Sequence, residues 1–517
     1  MLIFLPVLFL SLDALALLLL RSFRPNFKYP WLVALSGAIL ALAGTLLWQV
    51  RFPASASLPA WQPLAVFDYI PTWLADGVSW PYALSLTVLA AAIILTSVVR
   101  NENDPMPWAG TLLLTALGIL AVSAGDPLTL VLAWTAIDLA ELVTMLRSTE
   151  GESQSRSVVV AFAIRLIGTG FVIWARAVSA ATSMPMTFDL IAPGAGIYML
   201  FAAGLRLGVL PLHLPYRKEN VVRRGFGTSL RLVSAAASLA LLARIPSGAL
   251  DSPWTPFLLA LTLLPATYAG WMWLRASDEI LGRPFWVLGM ASLAVASTLR
   301  ASPAGSIGWG VALILCGGLI FLYTARQRSV LWLPLLGLWG LSSLPFSPSA
   351  AAWLTGNGTS WLFLLPFLPA QALLAAGFIR HALHPGETSL ESQARWVRVL
   401  YPAGLFLLAG FLVLLGLWGW EGAQTFGVWW VILPVVLLTL GSVFISTKVF
   451  IHTAGTVSRW GDILRLDLLY KFINSVVRFL EGLTRLVTAN LEGEGGIFWS
   501  ILLLVLFISL ISVGGGK

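Results

Sequence analysis

Charged residues are scarce in this chain of 517 residues: Asp, Glu, Lys and Arg together make up 10%, whereas 58% of the residues are hydrophobic. Soluble domains carry roughly 25% charged residues, so the composition excludes a soluble protein of this length. The mean hydropathy of +0.88 points the same way. The sequence therefore predicts an all-α polytopic membrane protein.

Cysteine, long loops and catalytic motifs are also scarce. The single cysteine, Cys316, has no partner for an intramolecular disulfide and is predicted to be a buried free thiol. The longest connections, 51–77 and 381–399, are too short to fold alone as a catalytic domain. There is no glycine-rich nucleotide loop, metal-ligand cluster or catalytic triad. We therefore expect no catalytic residues, no metal and no cofactor.

Apolar runs of about 20 residues, the length needed to cross a bilayer, recur along the whole chain. The first of them, MLIFLPVLFLSLDALALLLL, lacks a basic start and a small-residue cleavage site, so it is interpreted as a membrane helix and not as a signal peptide. Sixteen spans are predicted in total. Their approximate bounds are 1–20, 30–50, 78–99, 107–124, 127–146, 158–180, 193–212, 228–247, 254–275, 284–300, 306–325, 329–352, 359–380, 400–420, 427–451 and 496–514.

Lys and Arg are distributed unevenly between alternate loops. With the N-terminus outside, 23 of the 31 fall on the cytoplasmic side, five on the other side and three within spans. One missed span would invert every later loop, so this split supports the helix count. The prediction is a multi-pass protein of the cell membrane with both termini outside. The net charge of +8 follows from this bias, and no nucleic-acid partner is expected.

The segment before the last predicted span has a different pattern. Over 457–489, apolar residues recur with helical spacing while charged residues fill the opposite face. Such a helix lies along the membrane surface or along other helices. We therefore predict a C-terminal amphipathic surface helix on the cytoplasmic side.

A few charged residues fall inside the predicted spans, where they are costly and commonly mark ion pairs or transport pathways. Asp138 and Glu141 are three residues apart and share one helix face. Two interpretations remain open: buried ion pairs that fix helix register, or a polar path for an ion. The candidate path residues are Asp138, Glu141, Arg165, Arg206, His213 and Arg231, with Asp13 as a further acid in the first helix.

Two spans are interrupted by glycine and proline. GLRLGVLPLHLPY, residues 204–216, contains Pro211 and Pro215, and LPLLGLWGLSSLPFSPSAAAWL contains Pro345 and Pro348. One broken helix in each half of a membrane protein is typical of transporters that are built from repeats and bind their ion near mid-membrane. Two broken helices are therefore predicted.

Several of these segments, taken in order, resemble a known family. WLADGVSWPYALSLTVLAAAIILTS, LLLTALGILAVSAGDPLTLVLAWTAIDL, AIRLIGTGFVIWA and GLRLGVLPLHLPY are similar to the core of the antiporter-like membrane subunits of respiratory complex I (NADH-quinone oxidoreductase), membrane-bound hydrogenases and Mrp-type cation/proton antiporters. GLWGLSSLPFSPSAAAW resembles that family's second broken helix. The resemblance implies four regions: N-terminal helices 1–124, antiporter-like halves 125–250 and 251–400, and C-terminal helices 401–517.

The chain departs from the family pattern where protons would be carried. Thr135 follows Trp134 where the family has a glutamate, and Arg206 stands at the position of the seventh-helix lysine. In the eighth helix only Arg231 lies near the usual lysine or histidine, and Ala236 is inert. After the second break, the family's lysine or glutamate falls at about Ala352. The family's His-x-Trp-Leu-Pro is shortened to His213-Leu214-Pro215.

Arginine has a pKa above 12 and does not release its proton in proteins, so Arg206 can hold a carboxylate but cannot relay protons. We therefore expect Arg206 to lie within reach of Asp138 or Glu141. The resemblance and these departures together predict a membrane subunit of an energy-converting ion-translocating complex, with a degenerate or rerouted proton path and a scaffold or coupling role. Other membrane subunits and the lipid bilayer are the expected partners.

Two alternatives remain open. The chain could be an active proton or cation/proton antiporter subunit, with protons or monovalent cations as its ligands. A polytopic lipid-linked transferase is the alternative of another class, for which the loop 51–77 offers only Asp68 and Asp76. A metal site in HALHPGETSLE is less favoured than a solvated loop. Its candidate ligands would be His381, His384, Glu387 and Glu391.

Overall fold

The structure is a computed structural model. It describes residues 2–58, 69–100, 104–148, 152–182, 187–188, 190–192, 194–214, 224–354, 363–386 and 388–449, together with Ser475, Arg478 and Gly482. The chain divides into two compact units, Met1–Ala454 and Gly455–Lys517. In the second unit the three described residues are helical and exposed. The rest of the predicted surface helix 457–489 and the last span 496–514 lie outside the described residues and stay predictions.

Helices dominate the first unit, which confirms the predicted fold class. Eleven helical stretches of the described chain are long and apolar enough to cross a membrane, and four shorter helices are apolar. The helices are α1 Leu5–Phe23, α2 Pro30–Leu47, α3 Ser79–Ser97, α4 Met106–Val122, α5 Pro127–Ser148, α6 Glu152–Ala181, α7 Ala195–Leu207, α8 Arg224–Arg244, α9 Thr255–Arg275, α10 Glu279–Leu299, α11 Pro303–Leu322, α12 Trp332–Leu341, α13 Pro348–Ala351, α14 Phe367–Leu383, α15 Arg395–Trp418 and α16 Trp429–Val449.

The helices coincide with the predicted apolar runs. Every predicted span from 1–20 to 427–451 contains a helix, and the run 329–352 contains both α12 and α13. Several helices have a proline at the first or second position, where its missing N–H costs nothing. At the start of α10, the Asp278 carboxylate accepts hydrogen bonds from the backbone N–H groups of Ile280 and Leu281.

The centre of the first unit is formed by α3, α8 and α11, which pack against one another. The apolar stretch of α11 is fully buried, whereas that of α16 is 22% buried and that of α1 is 28% buried. In a bilayer the exposed apolar faces of α1 and α16 meet lipid or other chains, and the three central helices do not.

Both predicted helix breaks are present. Gly208 ends α7 with a φ of +80°, a conformation that glycine adopts without strain, and Pro211 lies in the turn that follows. Pro215 lies outside the described residues. The second break separates α12 from α13, and Ser343 and Phe346 within it have φ values of +57° and +62°.

Charged contacts tie alternate loops together at the two ends of the helices. At one end, Glu279 Oε1 lies 2.7 Å from Arg224 Nη1 and 3.0 Å from Arg326 Nη2. At the other end, Arg244 pairs with Asp76. This places 224 and 326 at the same end, as the alternation of loop charges requires. Which end faces the cytoplasm stays a prediction.

The loop between α2 and α3 contains a feature that the all-α prediction misses. Strand β1, Ala54–Ser57, pairs antiparallel with strand β2, Thr72–Ala75. The hairpin is held by backbone bonds to the α4–α5 turn: Leu74 N–H donates to Ser123 O, and Gly125 N–H donates to Thr72 O. ASAS alternates two small residue types and lacks the β-branched and aromatic residues that favour strands, so its pairing depends on tertiary contacts.

Candidate functional site

The two acids predicted in the fifth helix lie at the centre of a buried cluster of charges. Asp138 and Glu141 are 1% and 3% exposed on α5, and one helical turn brings both carboxylates to the same side. Helices α6 and α8 pack against this part of α5, and α7 packs against α6 and α8. We call Asp138, Glu141, Arg165, Arg206 and Arg231 the α5 charge cluster.

Arg206 binds Asp138 with two nitrogens. Nη1 lies 2.5 Å from Asp138 Oδ2, and Nη2 lies 2.8 Å from Oδ1. The fork shape of the guanidinium matches the carboxylate in this arrangement. Nη1 also lies 3.4 Å from Thr169 Oγ1, and Nε lies 3.4 Å from Ser238 Oγ on α8. The expected contact between Arg206 and an acid of the fifth helix is therefore present.

Arg165 and Arg231 complete the cluster. Arg165 Nη1 on α6 lies 3.2 Å from Asp138 Oδ1 and also donates to Glu141 Oε2. Arg231 Nη1 on α8 donates to Glu141 Oε1. Each carboxylate is thus held by two arginines, and Arg165 bridges the two acids. The cluster joins the four helices α5 to α8.

Close packing lets Arg206 reach its partner. A side chain at Gly168 on α6 would lie 2.9 Å from Arg206 Cγ, so glycine leaves the room that the arginine stem occupies. On the other side, the Trp134 ring lies under the guanidinium, with Cζ 4.1 Å from the ring centroid. This cation–π contact further fixes the position of Arg206.

The arrangement favours fixed ion pairs over proton transfer. A proton relay needs groups that take up and release protons, and arginine remains protonated in proteins. Opening one buried pair would leave an uncompensated charge at a cost of about 3–5 kcal/mol. The cluster can lock four helices in one register and can transmit a displacement of one helix to the other three.

His213 and Asp13 make their hydrogen bonds outside the cluster. His213 is 1% exposed in the turn after α7, and its Nδ1 lies 2.9 Å from Pro211 O. Its Nε2 has no hydrogen-bond partner among the described residues. Asp13, on α1, accepts a 3.3 Å hydrogen bond from Ser36 on α2. Their predicted place in an ion path stays untested.

The second break is stabilised by an uncharged network. Gln371 Nε2 on α14 donates to Leu341 O at 2.5 Å and to Ser343 Oγ at 2.8 Å. Its Oε1 accepts from Trp353 Nε1 at 2.9 Å. Ala352, which stands where the family pattern has a titratable residue, is buried beside this network, and Ala236 is buried on α8.

Two buried charged side chains near the start of α10 were not among the candidate residues. Glu279 binds both Arg224 and Arg326 at the end of the bundle, and Arg283, 0% exposed, lies 3.1 Å from Thr228 Oγ1. The sequence signal for their burial was weak, because Glu279 and Arg283 lie just before the predicted apolar run 284–300. Burial at such a position depends on neighbouring helices, which local hydropathy does not report.

Asp68 and Asp76 are the two acids named for the transferase alternative. Asp76 is bound by Arg244 at 2.8 and 3.1 Å. Burial alone would raise the pKa of Asp76, but the Arg244 charge and hydrogen bonds from Ser79 hold it below its usual 3.8. Asp68 lies outside the described residues.

The described side chains of the segment HALHPGETSLE do not form a set of metal ligands. His381 Nε2 lies 3.0 Å from Trp273 O, and Glu391 accepts from Gln327. No group of three or more His, Cys, Asp or Glu side chains in the described part of the chain is placed to hold a metal ion. Glu387 lies outside the described residues.

No protein-family model and no curated protein matches the sequence. Solved structures do match the fold. A chain of the Mrp complex from Dietzia sp. DQ12-45-1b superposes with a TM-score of 0.72 at 14% identity, covering 100% of this chain and 63% of that one. The present chain thus spans less than two thirds of the length of that Mrp chain.

Two further structures match over most of this chain and nearly the whole of the other chain. A chain of the membrane-bound sulfane sulfur reductase, an archaeal respiratory membrane complex, superposes with a TM-score of 0.70 at 13% identity, covering 98% of this chain and 99% of that one. A chain of respiratory complex I from Thermus thermophilus with bound NADH has a TM-score of 0.63 at 18% identity, covering 86% and 100%. The resemblance to antiporter-like membrane subunits is therefore confirmed in the fold.

Proposed function

We propose that this chain is a membrane subunit of a multi-subunit, energy-converting ion-translocating complex of the complex I-like, hydrogenase-like or Mrp-like kind. Its fold is shared with chains of three such membrane complexes, and its apolar outer helices offer surface to other subunits or to lipid. In this proposal the chain has no catalytic centre of its own. Other membrane subunits are its partners.

Within the complex we assign the chain a scaffold or coupling role with a degenerate proton path. The observation that carries this assignment is the α5 charge cluster, in which arginines from three helices hold Asp138 and Glu141. Since arginine does not exchange its proton, the cluster supports rigid coupling between α5, α6, α7 and α8. The uncharged Gln371 network at the second break supports the same assignment.

The alternative is active proton or cation/proton antiport. It is favoured by two buried carboxylates near the middle of α5 and by His213 at the first break, whose Nε2 has no hydrogen-bond partner among the described residues. If the carboxylates change partners during turnover, protons could pass between them and His213. This alternative requires the Arg206–Asp138 fork to open.

The organisation of the chain is part of the proposal. We infer N-terminal helices in 1–124, antiporter-like halves in 125–250 and 251–400, and C-terminal helices in 401–517. Each half then contains one of the two breaks. We also infer that the N-terminus is outside and that the helix 457–489 is cytoplasmic, because this orientation puts 23 of the 31 Lys and Arg residues on the cytoplasmic side.

The test separates assembly from conduction in the native complex. The Arg206→Gln variant of the full chain is expressed in place of the wild type, with Arg147→Gln, exposed at the end of α5, as control. A scaffold role predicts that Arg206→Gln lowers the amount of assembled complex on native gels, and that each complex still assembled translocates as many ions as wild type. Normal assembly with lost ion translocation would instead favour the antiport alternative.

A further inference from the structure

Asp13 is an acid on the outer surface of the helix bundle, near the middle of α1. At 1.5 Å per residue it lies about 12 Å along the axis from Leu5 and about 15 Å from Phe23. The hydrocarbon core of a bilayer is about 30 Å thick, so α1 spans most of that core and Asp13 lies near mid-membrane depth. Asp13 is partly exposed. A charged group at this depth is costly unless it is paired.

The surface around Asp13 is otherwise apolar. On α1, Leu12 and Leu15 are each 52% exposed beside it. On α2, Leu32 and Ile39 are each 48% exposed. The carboxylate therefore lies between two apolar helix faces, which in a bilayer meet lipid tails or another chain.

The described residues leave most of the hydrogen-bonding capacity of Asp13 unused. Ser36 Oγ on α2 lies 3.3 Å from Oδ2, but the same hydroxyl donates to Val33 O at 2.8 Å and has only one proton. No Lys, Arg or His side chain of the described residues forms an ion pair with Asp13. Helices α2 and α4, against which α1 packs, contain no charged residue.

The remaining cations of this chain are poorly placed in the sequence to reach Asp13. Beyond the described residues, Lys, Arg and His occur only in 215–223 and after 449. The first of these segments joins the ends of two helices, and 457–489 is predicted to lie at the membrane surface. The last predicted span, 496–514, contains none of these residues. A counter-charge at mid-membrane depth is therefore expected from another chain.

The contact between α1 and α2 leaves room for the carboxylate. A Cβ at Gly37 on α2 would collide with Asp13 Oδ2, so glycine keeps open the space that the side chain occupies. Because Asp13 is partly exposed, the other side of the carboxylate can be reached by a helix that packs on α1 and α2.

We propose that α1 and α2 form a docking surface for a transmembrane helix of another membrane subunit, and that this helix carries a Lys or Arg at the depth of Asp13. Its cation pairs with Asp13, and its apolar side chains cover the exposed leucines. The pair fixes the depth of the partner helix, because any other depth leaves both charges in lipid. The inference rests on the proposed function for the existence of partner subunits, and it adds the surface and the chemistry of one of them.

The test is the reactivity of Asp13 towards dicyclohexylcarbodiimide, an apolar reagent that modifies carboxyl groups within membranes. The full chain is treated in the native complex and after purification away from its partners, and mass spectrometry measures the modification at Asp13. We expect modification of the isolated chain and its loss in the complex. Modification in both states would mean that lipid covers the surface. Protection in both would mean that C-terminal residues of this chain cover it, and either result overturns the proposal.

Variants in the native complex provide a second measurement. Asp13→Asn leaves the partner's cation unpaired, so the assembled complex should be lost on native gels. Asp13→Glu should keep it, and so should Asp104→Asn, which removes an acid that lies 3.8 Å from Arg21 at the exposed end of α1.

Normal assembly of Asp13→Asn would overturn the docking surface and leave the proposed function intact. A wild-type chain that migrates alone on the same gels would contradict the proposed function and this inference together. If Asp13→Asn does not fold, the carbodiimide result on the wild-type chain decides.

Discussion

Arginine at position 206 does chemistry that a lysine could not do there. The guanidinium forks onto both oxygens of Asp138 and stacks on Trp134. A lysine is a point charge that can lose its proton when buried, as the resemblance to antiporter-like subunits implies for this position. Compared with a lysine, the guanidinium fixes the carboxylate in one geometry but cannot exchange a proton. Arginine at this position therefore favours a structural role over proton relay.

Removing the fork should destabilise the protein strongly. Arg206→Ala removes both hydrogen bonds of the fork while Asp138 keeps Arg165, and at about 1.5–3 kcal/mol for each bond to a charged group it is expected to lower the free energy of unfolding by a few kcal/mol. Arg206→Lys should cost less, because one charged contact remains. Thermal unfolding in detergent measures both, and Arg147→Ala, exposed at the end of α5, should behave like wild type. Equal Tm values for Arg206→Ala and Arg147→Ala would show that the fork contributes nothing.

Asp76 should give the stability a pH dependence. Burial opposes the ionised form, but Arg244 and Ser79 lower the pKa of Asp76 below 3.8. The stabilisation is therefore fully present above pH 3.8 and is lost as the pH falls through the lower, folded-state value. The Tm of wild type should decline more steeply than that of Asp76→Asn as the pH falls below 3.8, the ordinary value of the carboxyl group. Parallel declines would contradict the Asp76–Arg244 contribution.

Helix positions follow from local sequence, whereas the contacts between helices do not. The apolar runs predict α1 to α16 because each span must bury its own backbone bonds in lipid. Gly208 and the prolines predict the breaks because they end helical hydrogen bonding. The β1–β2 hairpin and the Gln371 network escaped prediction, since both depend on contacts with residues far away in the sequence.

The α5 charge cluster was predictable only in part. Charges inside apolar runs require partners, so Asp138, Glu141 and Arg206 were expected together. That Arg165 bridges the two acids and Arg231 binds Glu141 depends on helix rotation, which composition does not report.

The second break should depend on Gln371. Gln371→Leu leaves Leu341 O, Ser343 Oγ and Trp353 Nε1 without their partner, and each buried unsatisfied group costs about 1–3 kcal/mol. We expect a clear loss in Tm of the purified chain. Gln393→Leu, in the loop before α15, is the matched control and should have little effect. A wild-type Tm for Gln371→Leu would mean that the network does not hold the break.

Arginine–carboxylate contacts join loops at both ends of the helices of the first unit. Arg224 and Arg326 share Glu279 at one end, and Arg244 binds Asp76 at the other. Loops that the charge alternation assigns to one side of the membrane thus meet in space. The number and order of the helices in the first unit agree with the alternation, and the absolute orientation can be tested independently.

Accessibility of introduced cysteines should reveal the orientation. In a Cys316→Ala background, Phe23→Cys and Val50→Cys place thiols at opposite ends, where the native side chains are 78% and 73% exposed. A membrane-impermeant maleimide added to intact cells should label Val50→Cys directly and Phe23→Cys only after permeabilisation. The reverse pattern would place the N-terminus inside and invert the proposed topology.

The central claim is that the buried carboxylates are fixed by arginine and do not carry protons through this chain alone. Proton uptake driven by an imposed membrane potential, measured in vesicles that contain the purified full chain, tests it most directly. The uptake rate should equal that of protein-free vesicles and should be unchanged in Glu141→Gln. Uptake by wild type above this background that disappears in Glu141→Gln would contradict the account and establish a working proton path through the α5 charge cluster.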